Sequence, residues 1–220
     1  MEVKYREEGR IAAVRRYDIL DTPQDGSFNR LTRLAAQIFN VPIAIISLVD
    51  IDRVWFKSHF GLEVSEIGTE PGLCTSAIMS DDVYIVEDAR EDPRTLTNPL
   101  VVSDFGLRFY AGAPLQTSDG YNLGTFCIID KKQRYLTEPQ KEILKEMAAI
   151  AMDEIEIRLS ARKAARQVNH ILNTTKSHLH DTVLEIAKIP VAERNQGLTD
   201  ISDSSREILR QIEDQLDIQA

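Results

Sequence analysis

Apolar residues recur at helical spacing through the first forty positions. They gather into short β-branched runs through the middle, and return to helical spacing after Thr137. Ile11, Val14 and Ile19 give one side of a first helix over residues 9–20, closed by the turn Asp21-Thr22-Pro23-Gln24-Asp25-Gly26. Phe28, Leu31, Leu34, Ala35 and Ile38 predict a second helix over 27–39, with Ser27 as its N-cap. Residues 41–49 (VPIAIISLV) read as a strand buried on at least one face, turned by Asp50-Ile51-Asp52 into an antiparallel neighbour over 53–58. A short strand over 83–86 follows. A hairpin then pairs 109–115 with 123–129 around Ser118-Asp119-Gly120. Between the second strand and that hairpin lie about fifty residues of loop with one short helix near 74–79, a length of irregular chain that is usually functional.

From Gln140 to Ile189 there is neither Gly nor Pro. Fifty helical residues would span about 75 Å, far more than a domain of this size needs, so the segment reads as a rod supported by a second helix. Thr137 and Gln140 form a capping box and Pro139 fits the first turn. Ile143, Met147, Ile150 and Ile157 are expected to cover the sheet. Farther on, Ala161, Ala165, Val168, Leu172, Thr175, Leu179, Thr182, Ile186 and Ile189 make a polar-interrupted heptad seam that Pro190 stops. After a loop at Asn195-Gln196-Gly197, Ile201, Ile208, Ile212 and Leu216 mark a returning helix. Two helices alone bury little, so a homodimeric four-helix bundle is the expected arrangement.

Composition narrows the function. Residues 1–136 carry 15 basic and 20 acidic side chains, and 137–220 carry 11 and 15, so both parts are acidic and nucleic acid is not an expected partner. No apolar run approaches the roughly 20 residues of a membrane span, and the N-terminus is too polar for a signal peptide. Cys74 and Cys127 lie far apart, without CxxC or a His at ligand spacing. They read as reduced thiols of a cytoplasmic protein, and no metal site is expected.

Specific blocks sharpen the picture. Ile19-Leu20-Asp21-Thr22-Pro23, Phe28-Asn29-Arg30-Leu31, Ile46-Ser47-Leu48-Val49-Asp50 and Trp55-Phe56-Lys57-Ser58 open a pattern. It continues through Asp88-Ala89-Arg90-Glu91-Asp92-Pro93-Arg94, Asn98-Pro99-Leu100-Val101, Arg108-Phe109-Tyr110-Ala111-Gly112-Ala113-Pro114-Leu115 and Leu123-Gly124-Thr125-Phe126-Cys127-Ile128-Ile129-Asp130. With the element order, these blocks resemble the GAF domain family over roughly residues 7–157. The resemblance implies an α+β fold: a six-stranded antiparallel sheet, helices on one face and a loop-walled pocket on the other. It places a GAF sensor in 1–157 and a helical linker with a dimerising hairpin in 158–220. It also points to Trp55, Phe56, Cys74, Asp88, Arg90, Arg108 and Tyr110 as candidate pocket residues, or, for Trp55, as packing and, for Asp88 with Arg90 or Arg94, as a loop pin. The signature of cyclic-nucleotide-binding members is absent. Cys74 is followed by Thr75 rather than His, so a covalent bilin is not expected and the cofactor is unknown. Free-methionine-sulfoxide reductases share the fold but use a cluster of cysteines, which two distant ones do not reproduce. A reductase using Cys74 or Cys127 stays as the enzymatic alternative, and a purely structural scaffold as another.

Of four histidines, His59 ends a strand and His170 lies on the rod. Ser177-His178-Leu179-His180-Asp181-Thr182-Val183 resembles the phosphotransfer hairpin of sensor histidine kinases, in which His is followed by an acid. The resemblance makes His180 the phosphoacceptor with Asp181 as the adjacent acid, and His178 the alternative. Glu185 replaces a Gln often found five residues after the His, and Val183 a Pro expected in the second alignment. No Asp-x-Gly-x-Gly loop of an ATP-binding domain occurs. The sequence therefore reads as a fragment ending before a catalytic domain, or as a short protein served by a kinase domain or response regulator in trans.

Overall fold

A computed structural model describes residues 2–70 and 72–217. The chain divides into two compact units, residues 1–159 and 160–220. In the first, α1 (Glu2–Tyr17) and α2 (Gly26–Phe39) precede β1 (Ile43–Val49) and β2 (Arg53–Phe60). Then come β3 (Glu66–Gly68), α3 (Leu73–Ala77), β4 (Tyr84–Val86), α4 (Pro99–Val102), β5 (Phe109–Gln116) and β6 (Asn122–Asp130). The six strands form one antiparallel sheet in the order β3-β2-β1-β6-β5-β4. This is the GAF-type α+β fold, with a six-stranded sheet and flanking helices.

The apolar runs bury two cores, because successive strand residues point to opposite faces. Ala44, Ile46 and Leu48 of β1, with Phe126 and Ile128 of β6, join the core under the helices. Ile43, Ile45 and Val49, with Cys127 and Ile129, join the core on the loop side.

Several sequence expectations shift. The first helix stops at Tyr17 rather than Leu20, where Asp18 and Asp21 take left-handed φ of 50° and 59°. The cap of α2 is Asp25, not Ser27: its carboxylate accepts from the backbone N–H of Ser27 (3.1 Å) and Phe28 (3.5 Å). β3 and α4 were missed. The first is three residues with no buried position, and the second is a single turn that Asn98 caps through the N–H of Leu100.

The long helix α5 runs continuously over Glu138–Lys188, and the capping box forms, Thr137 N–H donating to Gln140 Oε1 at 2.9 Å. Its face toward the sheet is not the isoleucine stripe. Leu144, Met147, Ala148, Ala151, Met152 and Ile155 are buried there, whereas Ile143, Ile150 and Ile157 are 40%, 50% and 63% exposed. Two of the buried residues, Ala148 and Ala151, are small, and the rest of the face is leucine, methionine and isoleucine. The isoleucines stand about a third of a turn away, at 100° per residue.

In the second unit, α5 and α6 (Gln196–Asp217) form a hairpin joined through one 3-10 turn at Val191–Glu193. Asn195 caps α6 through the N–H of Leu198, so Gln196 and Gly197 are helical rather than loop. Ile186, Ile212, Ser202 and Ser205 are buried, and Lys176 pairs with Glu213 at 2.9 Å. Val168, Ile201 and Ile208 stay exposed, so only part of the expected seam is used inside one hairpin.

Candidate functional site: a thiol-lined apolar cavity

On the loop side of the sheet lies a cavity of about 330 Å³. The strands supply its floor with Ile45, Val54, Phe56, Tyr110 and Ile129, and the long loop supplies walls that include Leu62, Leu73, Cys74, Leu100 and Phe105. Neither Lys nor Arg is among its lining residues, and Glu63 stands among them. Such a site lacks a charge partner for phosphate and suits a neutral, largely apolar ligand.

Phe56 and Tyr110 reach this cavity from one face of the sheet, and Cys74 reaches it from α3. Trp55, one residue along β2, points to the other face and packs in the helix-side core, with the Lys57 ammonium 6.0 Å from its ring. Asp88 lies outside the cavity and lines a separate cleft with Glu87, Glu91, Asp92 and Arg94. Its partner is Arg108, not Arg90 or Arg94: Arg108 Nε donates at 2.6 Å and Nη2 to the other carboxylate oxygen. Arg90 is exposed and contributes its backbone N–H to Asp88 (3.1 Å). This pair fastens the loop after β4 to the start of β5. Ile45, Val54 and Ile129 could have been found from strand alternation. Leu100 and Phe105 could not, since nothing local tells which loop residues fold over the sheet.

The polar end of the cavity is a buried cluster. Tyr110 O–H donates to Cys74 Sγ at 3.5 Å and lies 3.4 Å from Thr125 Oγ1, which is 2.9 Å from Ser47 Oγ. Cys127 is buried in the same loop-side core. Its thiol, with the hydroxyls of Tyr110, Ser47 and Thr125 and against the effect of burial, lowers the Cys74 thiol. Cys74 and burial push Cys127 well up, and burial, then the Cys74 charge, raises Tyr110. Tyr110 therefore stays a phenol and a donor.

Arg108 holds the Asp88 carboxyl below its ordinary value, against the opposing effect of burial. Because the folded carboxyl ionises below its unfolded value near 4, the pair contributes stability above about pH 4 that is lost as pH falls through the lower folded value. We expect Asp88→Asn to lower the denaturant midpoint at pH 7. The difference from wild type should shrink steadily as the medium is taken from about pH 4 downward. A difference unchanged by pH would refute the assignment.

His178, His180 and Asp181 are all exposed on α5, and Thr182 Oγ1 donates to the His178 carbonyl at 2.8 Å. His59 lies 3.0 Å from Gln24 Nε2, and its ring meets Phe56 edge-on. Among the described residues no group of His, Cys, Asp or Glu is placed to hold a metal ion, and no helix is long and apolar enough to cross a membrane.

Residues 25–155 match the GAF domain family. The chain belongs to this family. It is 37% identical over 150 residues to a cyclic di-GMP phosphodiesterase of Pseudomonas aeruginosa, a match covering 68% of this chain and 26% of that protein. The chain thus spans about a quarter of that relative's length. Among solved structures it is similar to the GAF domain of an Acinetobacter phosphoenolpyruvate-protein phosphotransferase (16% identity, 70% of this chain and 97% of that one, TM-score 0.51). It is also similar to a free methionine-R-sulfoxide reductase of Neisseria meningitidis solved with its substrate (21%, 62% and 78%, TM-score 0.50). At such identities these two likenesses concern the fold alone.

Proposed function

We propose that this chain is the sensing and dimerising part of a signalling protein. A small ligand enters the loop-side cavity, and α5 relays occupancy to a hairpin paired with that of a second copy. The observation behind this reading is the double duty of α5. One face closes the GAF sheet, while Ile143, Ile150 and Ile157 repeat every seven residues on an exposed face of the same helix. Ala161, Ala164, Val168 and Ile171 continue that stripe at steps of four and three, all exposed. A sustained heptad stripe is what a paired helix covers. Relay would be a shift between two packings of the paired helices. Membership of the GAF family and the likeness to a second-messenger phosphodiesterase support a signalling role.

Light scattering should give about twice the 24.9 kDa chain mass. Ile150→Glu with Ile157→Glu should give a monomer with the GAF unit still folded, since neither side chain enters its core. A wild-type monomer at micromolar concentration would sink the reading.

Exposure of His180 beside Asp181 favours a phosphotransfer role for the hairpin, with the kinase domain acting in trans. Incubation with a cognate kinase and ATP should produce an acid-labile label that is missing in His180→Gln. Label retained by that variant and lost in His178→Gln would move the role to His178.

A further inference from the structure

The hairpin covers one stripe of each helix and leaves a second stripe bare. Along α5, Leu172, Lys176, Leu179, Val183 and Ile186 are half-buried or buried, at steps of four and three. Along α6, Leu198, Ser202, Ser205, Leu209 and Ile212 repeat the pattern. These inner stripes face each other, and Lys176 pairs with Glu213 between them. Each helix carries an outer stripe one residue earlier. On α5 it is Val168, Ile171, Thr175, His178 and Thr182, all exposed. On α6 it is Ile201, Ser204, Ile208, Gln211 and Gln215, also exposed.

One residue is a turn of about 100°. The two helices run antiparallel with their inner stripes facing, so the same turn carries both outer stripes to one broad side of the hairpin. Neither outer stripe holds a Lys, Arg, Asp or Glu, in a chain that is 28% charged. The opposite broad side, one residue later in each helix, carries His180 with Asp203, Arg206 and Arg210.

We infer that the uncharged side is where the hairpin of a second copy of this chain lies, and that His178 is covered there while His180 stays open on the opposite side. This rests on the pairing of two hairpins proposed above, and it names the surface used and the fate of each histidine. A charged partner finds nothing to hold on this side. A second copy brings the same two stripes, so that four heptad stripes close one core. Each stripe runs about 21 Å and the two helices together are about 20 Å wide, which gives roughly 400 Å² of footprint. That is about half of what one partner gives to a standard interface. Ile143, Ile150 and Ile157, exposed on the same α5, supply further apolar surface, and only a second copy carries both. The Lys176–Glu213 pair sets His178 about level with Gln211. Polar groups placed so within a heptad core fix its register.

The full chain should be compared with Ile201→Glu/Ile208→Glu and with Ser177→Glu/Thr199→Glu, a control that adds the same charge to the opposite side. Sedimentation equilibrium reads the dimer, and diethyl pyrocarbonate with fragment-ion mass spectrometry reads His178 against His180. In the wild-type dimer His180 should be modified and His178 protected. Ile201→Glu/Ile208→Glu should weaken the dimer about tenfold or more, since two isoleucines per copy lose their cover, and should expose His178. The control should match the wild type in both readings. Equal modification of the two histidines in the wild-type dimer, or a dimer no weaker in Ile201→Glu/Ile208→Glu, overturns the inference. If that variant loses helix by circular dichroism, wild type labelled above and below its dissociation constant decides: protection of His178 must vanish on dilution. A wild-type monomer at micromolar concentration overturns this inference and the pairing together. A dimer broken by Ile150→Glu/Ile157→Glu but untouched by Ile201→Glu/Ile208→Glu overturns this inference alone.

Discussion

Gly124→Ala should abolish the soluble folded protein or lower its stability by about 3 kcal/mol or more, at the upper end of ordinary overpacking. Gly124 lies in β6 opposite Leu48 of β1, the central pair of the sheet. A Cβ there would stand 1.8 Å from the Ser47 carbonyl oxygen and 2.7 Å from Leu48 Cα. The obstructing atoms are backbone, so no side-chain rotation relieves them. β1 cannot retreat either, because β2 pairs along its other edge, with a register shift at Ile46/Ser47. Domains of this kind have only about 5–15 kcal/mol of net stability, so one such clash consumes a large part of it. Denaturant unfolding of any recovered protein checks this, with Gly120→Asn as a control. Gly120 has a positive φ, of 83°, which Asn tolerates, and nothing lies within 4 Å of its missing Cβ. A wild-type midpoint for Gly124→Ala would refute the close approach.

The second large effect is expected at Lys57. Its side chain is 2% exposed, and its ammonium donates to the Pro23 carbonyl (2.7 Å) and Thr22 Oγ1 (2.9 Å) and stands 3.5 Å from Asp25. It also lies 5.3 Å from the Phe28 ring centre. Asp25 is a junction in turn: it caps α2 and accepts from Arg158 Nη2 of α5 at 3.0 Å. Lys57→Met keeps the apolar stem but leaves the Pro23 carbonyl without its donor and Asp25 with Arg158 as its remaining cation. Removing one partner of a fully buried pair costs roughly 3–5 kcal/mol. Asp25 keeps about a third of its surface in water, so about 2–4 kcal/mol is expected here. In a double-mutant cycle with Asp25→Asn the two losses should fall short of adding. A loss under about 1 kcal/mol would show the lysine to be dispensable packing.

Both sites lie on blocks that carry the family resemblance, Trp55-Phe56-Lys57-Ser58 and Leu123-Gly124-Thr125. Neither residue's reason was visible there. Lys57 alternates onto the helix-side face of β2, where a lysine is out of keeping until the turn at Thr22-Pro23-Asp25 is folded over it. The need for glycine at 124 appears only once β1 is laid alongside β6.

The candidate site divides the same way. Alternation along β2 and β5 was enough to bring Phe56 and Tyr110 to one face, while Trp55 went to the other for the same reason. Cys74 joined them only because the polar, irregular chain between β2 and β4 folds across the sheet. Asp88 and Arg108 stand out in the sequence as pocket candidates, with a loop pin to Arg90 or Arg94 as the other reading of Asp88. They prove to be each other's partner, since a carboxylate near a low-dielectric core is held most cheaply by the nearest guanidinium.

Local chemistry determined the parts of this protein whose cause is local. Apolar period set helix against strand, Ser118-Asp119-Gly120 turned the β5–β6 hairpin, and Thr137 with Gln140 started α5, whose Gly- and Pro-free run let it continue to Lys188. Tertiary structure decided what depends on distance. α5 has two apolar faces, and its sequence does not say which one meets the sheet. The face of Leu144, Met147, Ala148, Ala151, Met152 and Ile155 joins the core beneath the sheet, leaving Ile143, Ile150 and Ile157 outside. Cys74 and Cys127, 53 residues apart, enter one loop-side core for the same kind of reason: a helix folded over the sheet brings them there, and no local period encodes it.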